Sequence, residues 1–368
     1  LNSFISQTVL DYSFKIYIFD FVKASCNLIL YKLREVKGLR KKLKSIKHSL
    51  IIINDNKNKL IIKIQNYNKL TKIIIVTYNG MRWLDRCLSS CGDYDIIIVD
   101  NASTDGTITF IEENYPNAKL IKQNSNLGFG QANNIGISNA LNEGADYVFL
   151  LNQDAYLQSD TIKKLIEIHK GNKDFGILSP IHLSGDGCKL DKNFYNYLKE
   201  NNTIMYDALR QNFSKNIYRV PFVNAAAWLL PRKTLENIGG FDPIFFHYAE
   251  DNNYCQRVLF HGLKIGVVPN CYVQHDRVFR STKTNKQYSL IEKERYLIDN
   301  WTNINIEVNE EMEKQISFIK ILLIKLIIKF KFKKISYYQS ELNLIKRITP
   351  EIYKSREINS KLGNHYLS

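Results

Sequence analysis

Between residues 72 and 154 short unbroken apolar runs alternate with segments whose apolar positions recur every three or four residues. Residues 72–79, KIIIVTYN, are a β-branched run with no polar interruption until its end. Such a run predicts a strand buried on both faces, as in a parallel sheet. MRWLDRCLSSC (81–91) then predicts a helix, DIIIVDN (95–101) a second buried strand, and STDGTITFIEEN (103–114) a turn followed by a helix. AKLIKQ (118–123) predicts a third strand, and GQANNIGISNALNEG (130–144) a helix stopped by Gly144. DYVFLLNQD (146–154) predicts a fourth strand with an acid just beyond it. Four strand–helix alternations predict an α/β fold with right-handed crossovers, a mostly parallel sheet flanked by helices.

Further on, residues 155–180 supply a helix and the strand FGILSP, and a polar stretch from Ser184 to Arg219 reads as a long irregular loop. FVNAAAWLLPR (222–232) predicts a strand whose alanines leave room for a close approach, TLENIGGFDP a short helix, and KIGVVP and CYVQHD two closing strands. The pattern divides the chain into an N-terminal extension (1–71), a central domain (72–280) and a helical C-terminal extension (281–368).

Ligands of such sheets bind beyond the carboxyl ends of the strands. The residues there are Thr77, Tyr78 and Asn79; Asp100 and Asn101; Asn124, Asn126 and Gly128; Asn152, Gln153 and Asp154. One polar strand end is ordinary turn chemistry. Four that converge on one edge predict a polar ligand site. Glu250 and Asp251 open a later helix, HYAEDNNYCQR (247–257), where acids either complement the helix dipole or supply a catalytic base. At 3.6 residues per turn they point about 100° apart, so Glu250 shares a face with Tyr254 and Arg257, and Asp251 shares one with Cys255 and Val258.

Charge changes the picture at the ends. The net charge is +15. Residues 31–48 hold eight Lys or Arg and one Glu; residues 318–334 hold six Lys and no acid. These two segments account for 13 of the 15 charges. In the first, Val36, Leu39, Leu43, Ile46 and Leu50 mark one face of a helix. That helix suits either an anionic membrane surface or packing on its own domain. In the second, Lys320, Lys325 and Lys329 break the apolar run before the ~20 residues a membrane span needs. No nucleic-acid motif accompanies the charge, so nucleic acid is not an expected partner. The six cysteines form no metal-ligand spacing and read as reduced thiols. The early residues do not read as a secretory signal, and the expected location is cytoplasmic, peripheral on the inner membrane face.

In order, IIIVTYNG, IIIVDNASTDGT, NSNLGFGQANNIGI, LLNQDA, AAWLLPRKTLENIGGFDPIFFHYAEDNNYCQR and a final QHD make residues 72 to about 280 resemble a family-two glycosyltransferase of GT-A type, in the rhamnosyltransferase-like branch. The resemblance implies a dTDP- or UDP-linked sugar donor in the strand-end cleft and a glycan or lipid-linked acceptor. Thr77, Tyr78 and Asn79 would line the base, and Asp100 and Asn101 would meet base or ribose. Asn126, Gly128, Phe129, Asn152 and Gln153 would complete the donor side, with Gly128 and Gly130 admitting a close approach of the ligand to backbone amides. A divalent metal, Mg²⁺ or Mn²⁺, would sit under the diphosphate on Asp154 and His275. The family's Asp-x-Asp is here Asn152-Gln153-Asp154. The resemblance makes Asp251 the general base of an inverting transfer, with Glu250 orienting the acceptor or bracing the loop. Trp228 and His247 are the acceptor-side candidates, each also readable as packing. Asp105 reads as a helix cap and Arg257 as part of an ion pair.

Other classes compete. A non-catalytic sugar-nucleotide binder is suggested by Asn152, and a basic scaffold with a relic enzyme fold by the charged ends. A nucleotidyltransferase or a Rossmann oxidoreductase would need a glycine-rich phosphate loop after the first strand, where this chain reads TYNGMRW.

Overall fold

The computed structural model describes residues 50–55, 60–65, 70–199, 202–277 and 290–367. The chain forms two compact units, Leu1–Leu70 and Thr71–Ser368. In the first, β1 (Leu50–Asp55) pairs antiparallel with β2 (Leu60–Gln65). Leu50, the last position of the expected basic helix, therefore opens a strand: three isoleucines follow it, and β-branched residues favour extended backbone. The remainder of that helix, residues 31–48, lies outside the described residues.

The second unit begins with β3 (Thr71–Thr77), α1 (Met81–Ser90), β4 (Asp95–Asp100), α2 (Thr107–Asn114), β5 (Lys119–Lys122), α3 (Gly128–Asn142) and β6 (Tyr147–Asn152). Ile73, Ile74 and Ile75 are fully buried, as are Ile98 and Val99. Each such side chain contributes roughly 1.5–3 kcal/mol of burial, so the sheet centre is fixed by these runs. Gly144, at φ +82°, ends α3 as its sequence suggests, with Ala145 N–H closing onto the Ala140 carbonyl.

The chain continues through β7 (Ala155–Leu157), α4 (Thr161–Gly171) and β8 (Phe175–Ser184). The stretch expected to be an irregular loop holds α5 (Lys192–Leu198), α6 (Asn202–Leu209) and β9 (Tyr218–Val220). Asp191 caps α5 by accepting from Phe194 N–H, and Phe194 and Leu198 are buried. Helices of seven and eight residues are too short to display a periodicity. Then come β10 (Ala227–Pro231), α7 (Arg232–Ile238), α8 (Glu250–Phe260) and β11 (Lys264–His275). KIGVVP and CYVQHD are one strand with a register shift between Val268 and Tyr272, not two.

One nine-stranded sheet runs in the order β5-β4-β3-β6-β10-β8-β11-β7, with β9 also paired to β11. β5, β4, β3 and β6 are parallel; β10 lies antiparallel between β6 and β8. From β3 the chain moves to β4 on one side and returns to β6 on the other. The ends of β3 and β6 therefore flank a topological switch point, where open α/β sheets bind ligands.

Helices α9 (Leu290–Trp301), α10 (Asn309–Ile328) and α11 (Phe332–Asn359) complete this unit around a second core that includes Phe245, Trp301, Met312, Ile319, Ile345 and Ile352. Asp242, in the turn after α7, joins the two cores. Its Oδ2 accepts from Ser355 Oγ (2.6 Å), Asn359 Nδ2 (2.7 Å) and Tyr366 OH (3.2 Å). Among the described residues no helix is long and apolar enough to cross a membrane.

Candidate active site

At the switch point the loops after β3, β4 and β6 hold one another. Gln153 grips the backbone of Tyr78 on both sides: Tyr78 N–H donates to Gln153 Oε1 (3.0 Å), and Gln153 Nε2 donates to the Tyr78 carbonyl (3.2 Å). The Tyr78 ring remains exposed. Asn79, at φ +48°, takes Thr104 N–H on its Oδ1 (2.8 Å). The Asp100 carboxylate is fully buried and already engaged, by Thr77 Oγ1 (2.8 Å) and by Ser103 through N–H (2.9 Å) and Oγ (2.6 Å). It holds the loop that would meet a base, and does not project into open space. Asn101 Nδ2 donates to the Gly128 carbonyl (3.1 Å), and Asn126 Oδ1 accepts from Gly128 N–H (2.8 Å). Asp105 serves two helices at once, accepting from Met81 N–H at the start of α1 and from Thr107 at the start of α2.

Two residues beyond β6, Asp154 is buried and its Oδ1 lies 3.2 Å from His275 Nε2 at the end of β11. The β7–β11 pairing sets this contact, since Ala155 stands opposite His275 and Asp276 N–H binds the Asp154 carbonyl (2.8 Å). His275 Nε2 is fully enclosed and makes no well-formed hydrogen bond, and its Nδ1 faces Arg277 Nε at 3.3 Å. Arg277 in turn pairs with Asp191 (3.1 Å). An enclosed ring nitrogen aimed at a carboxylate fits a cation held between the two. Among the described residues no third His, Cys, Asp or Glu joins them, so ligand oxygens would have to complete the coordination.

Glu250 and Asp251 open α8 after two consecutive left-handed residues, Tyr248 and Ala249, both at φ +70°. Such backbone in non-glycine residues costs about 1–3 kcal/mol each and clusters at functional sites. Asp251 Oδ1 accepts from Asn252 N–H (2.8 Å), and the Ala225 amide also binds its carboxylate. The carboxylate thus faces the Asn224–Ala226 segment, and the Ala226 carbonyl accepts Asn152 N–H (3.0 Å). Ala225 and Ala226 thus link the Asp251 carboxylate to Asn152 at the end of β6. Burial pushes Asp251 up to about 6, against the pull of the Asn252 and Ala225 amides, with Asp299 adding to the rise. Burial, helped by Asp251, pushes Glu250 up to about 7. Glu250 sits over Gly130 of α3.

Buried polar atoms in native proteins nearly always have partners. Here Asn152 Oδ1, Asn224 Oδ1, Glu250 Oε2 and His275 Nε2 have none. Asn224 was not a sequence candidate; only its place beside the alanine run could have flagged it.

Several expected site residues lie elsewhere. Trp228 is fully buried, stacked on Phe241 (6.1 Å between centroids) and against Tyr254, so it is core and not an acceptor platform. Phe129 is half-buried and packs edge-on against Phe241 (5.8 Å). Gly128 and Gly130 make room for protein, not ligand: a Cβ at Gly128 would sit 1.9 Å from the Phe246 carbonyl oxygen, and one at Gly130 2.9 Å from Phe241 Cβ. His247 is exposed beside the Tyr248 ring (4.0 Å). Arg257 meets carbonyls, donating to Gly240 O (2.6 Å) and Ile238 O, where an ion pair was expected.

Residues 72–239 match the model of glycosyl transferase family 2. The dTDP-rhamnosyl transferase RfbF of Shigella flexneri is 24% identical over 215 residues, covering 55% of this chain and 67% of that protein. The N-acetylglucosaminyl-diphospho-decaprenol L-rhamnosyltransferase of Mycobacterium tuberculosis is 26% identical over 237 residues, covering 56% of this chain and 75% of that one. Among solved structures, Staphylococcus aureus TarS 1–349 in complex with UDP-GlcNAc is 15% identical, with a TM-score of 0.49 over 79% of this chain and 88% of that one. The match to the family-2 glycosyltransferases thus lies in residues 72–239, the part of the α/β unit that carries the strand ends described above, and the similar proteins include rhamnosyltransferases.

Proposed function

We propose that the protein is an inverting glycosyltransferase that moves a sugar from a nucleoside-diphosphate sugar, dTDP- or UDP-linked, to a hydroxyl of a glycan or lipid-linked acceptor. The names of the rhamnosyltransferase relatives support the donor class, and the decaprenol-linked relative supports the acceptor class. The observation that carries the chemistry is the Asp251 carboxylate, held by two amides at a helix N-terminus and linked through Ala225 and Ala226 to Asn152 at the end of β6. Asp251 takes the proton of the acceptor hydroxyl as that oxygen forms its bond to the anomeric carbon. The bond from that carbon to the diphosphate oxygen breaks on the opposite side, so configuration inverts. Its pKa, near 6, leaves it ionised at neutral pH and still basic enough to accept a proton.

Asp154 and His275 would hold a divalent metal, which would supply positive charge against the departing diphosphate. Ligation through His275 Nε2 places the ring proton on Nδ1, so Arg277 would turn fully toward Asp191. Asn152 Oδ1 and Asn224 Oδ1 would accept hydroxyl hydrogens of the bound sugar. Gln153 and Asp100 hold the loops around the base.

Asp251→Asn tests the assignment. Transfer is expected to fall by about 10²–10⁴-fold, the range for losing a general base, with donor binding within a few-fold of wild type by calorimetry. Near-normal turnover in that variant refutes the base.

A further inference from the structure

Helix α10 is apolar on two faces, and the unit covers only one of them. Met312, Ile319 and Leu323 point inward into the second core, and Leu326 is buried on the same face. Phe318, Ile321, Ile324 and Ile328 recur at three and four residues on a face that is 53–70% exposed. The turn into α11 carries Phe330 and Phe332, 76% and 71% exposed. Phe330 is held at φ +48°, a left-handed conformation that bulky residues rarely take. Lys320, Lys325, Lys329, Lys331 and Lys334 are all exposed around this face, and residues 318–334 contain no acid.

A helix with an apolar face open to solvent needs a partner. We propose that the α10–α11 hairpin docks on an anionic lipid bilayer, with its isoleucine face and aromatic tip in the headgroup–acyl boundary. Charge decides the occupant. The apolar side chains are fringed by lysines alone, which matches a surface both oily and negatively charged. The helix lies on the bilayer without crossing it, since its lysines interrupt the run. The hairpin is also connected to the site through α9. Arg347 of α11 pairs with Glu294 of α9 (2.9 Å). Asp299 of α9 accepts from Asn252, beside Asp251 (2.8 Å). Bilayer contact would therefore fix the orientation of Asp251 toward a lipid-borne acceptor.

The inference is independent of the base assignment, because its test reads binding and not turnover. The full chain is sedimented with vesicles of phosphatidylglycerol and phosphatidylcholine, or of phosphatidylcholine alone. Wild type is expected on the anionic vesicles, weakened at least about tenfold by Phe330→Asp with Phe332→Asp, and similarly by Lys325→Glu with Lys329→Glu. All four side chains are exposed, so folding should persist; circular dichroism checks it. Wild type failing to bind anionic vesicles overturns the proposal. So does undiminished binding of both double variants, which would move the contact to the basic residues 31–48. If Ile321→Asp instead converts a dimer to a monomer with vesicle binding unchanged, the face joins two copies of this chain and the proposal fails.

Discussion

Asp251 and Glu250 are adjacent in sequence yet meet different surroundings, and pH separates them. Both carboxyl groups are raised above their ordinary range chiefly by burial, to about 6 and about 7. If Asp251 is the base, turnover falls as pH drops through about 6, and the acidic limb belongs to the coupled pair and not to one group. The stability consequence has the opposite direction. A carboxyl with a raised folded pKa binds more protons folded than unfolded between about 4 and 7, so its contribution to stability falls as pH rises through that window. Glu250→Gln removes the charge burial disfavours. The variant is expected to melt higher than wild type at pH 8, by no more than about 3 kcal/mol from the size of the shift, with the gain gone near pH 4. Thermal denaturation at both pH values decides it; a variant no more stable at pH 8 contradicts the burial argument. The Asp154–His275 corner gives a second test. Chelation should suppress transfer, Mn²⁺ or Mg²⁺ should restore it, and Asp154→Asn should blunt the restoration, all measured by release of nucleoside diphosphate. Full turnover in chelator removes metal from the account. The sequence marked these residue types because polar groups after buried runs are conspicuous. It did not show that Asp100 is already occupied by Thr77 and Ser103, because that depends on how the next loop folds back.

Elements with long, uninterrupted patterns were legible: β3, β4, β6 and α3 follow directly from their buried isoleucines, leucines and spacing. Short ones were not. α5 and α6 span seven and eight residues, about two turns, and their stability comes from burying Phe194, Leu198 and Ile204, not from any local periodicity. The bend of β11 looked like two strands because Pro269 and Asn270, the latter at φ +57°, interrupt the run where the register shifts. The link between α3 and α8 was also hidden. The glycines of NSNLGFG suggested space for a ligand, but Gly128 is where the Phe246 carbonyl passes. Gly128→Ala should therefore act through the 246–251 loop: it adds a Cβ at φ +81° against a backbone oxygen. A loss of about 1–3 kcal/mol is expected from the conformational strain alone, together with reduced turnover. Urea denaturation and initial rates check both; wild-type values in both would show that the loop does not depend on this glycine.

At the scale of the molecule, the helices after residue 290 are built into the domain that carries the site. Composition described them as a basic extension because charge and hydropathy do not reveal which face is covered. The tie runs through Asp242, where one carboxylate oxygen serves Ser355, Asn359 and Tyr366. It also runs through Gly240 N–H on the His365 carbonyl and Gly363 N–H on the Asn237 carbonyl. Asp242→Ala strands three buried or part-buried donors at once, and each stranded group costs about 1–3 kcal/mol. Some will rotate or take up water, so a net loss of about 2–4 kcal/mol is expected, against about 1 kcal/mol for Ser355→Ala. Trp228 lies in the sheet core and Trp301 in the helical core. Chains keeping only one of them, with the others replaced by Phe, report the two cores separately. If the cores fold as one cooperative body, both reporters follow the same urea transition in wild type, and Asp242→Ala shifts the two midpoints together or pulls them apart with the helical core going first. Transitions already separate in wild type would mean that the Asp242 contacts carry little energy. The helices would then be an independent layer, and the orientation of Asp251 could not depend on them.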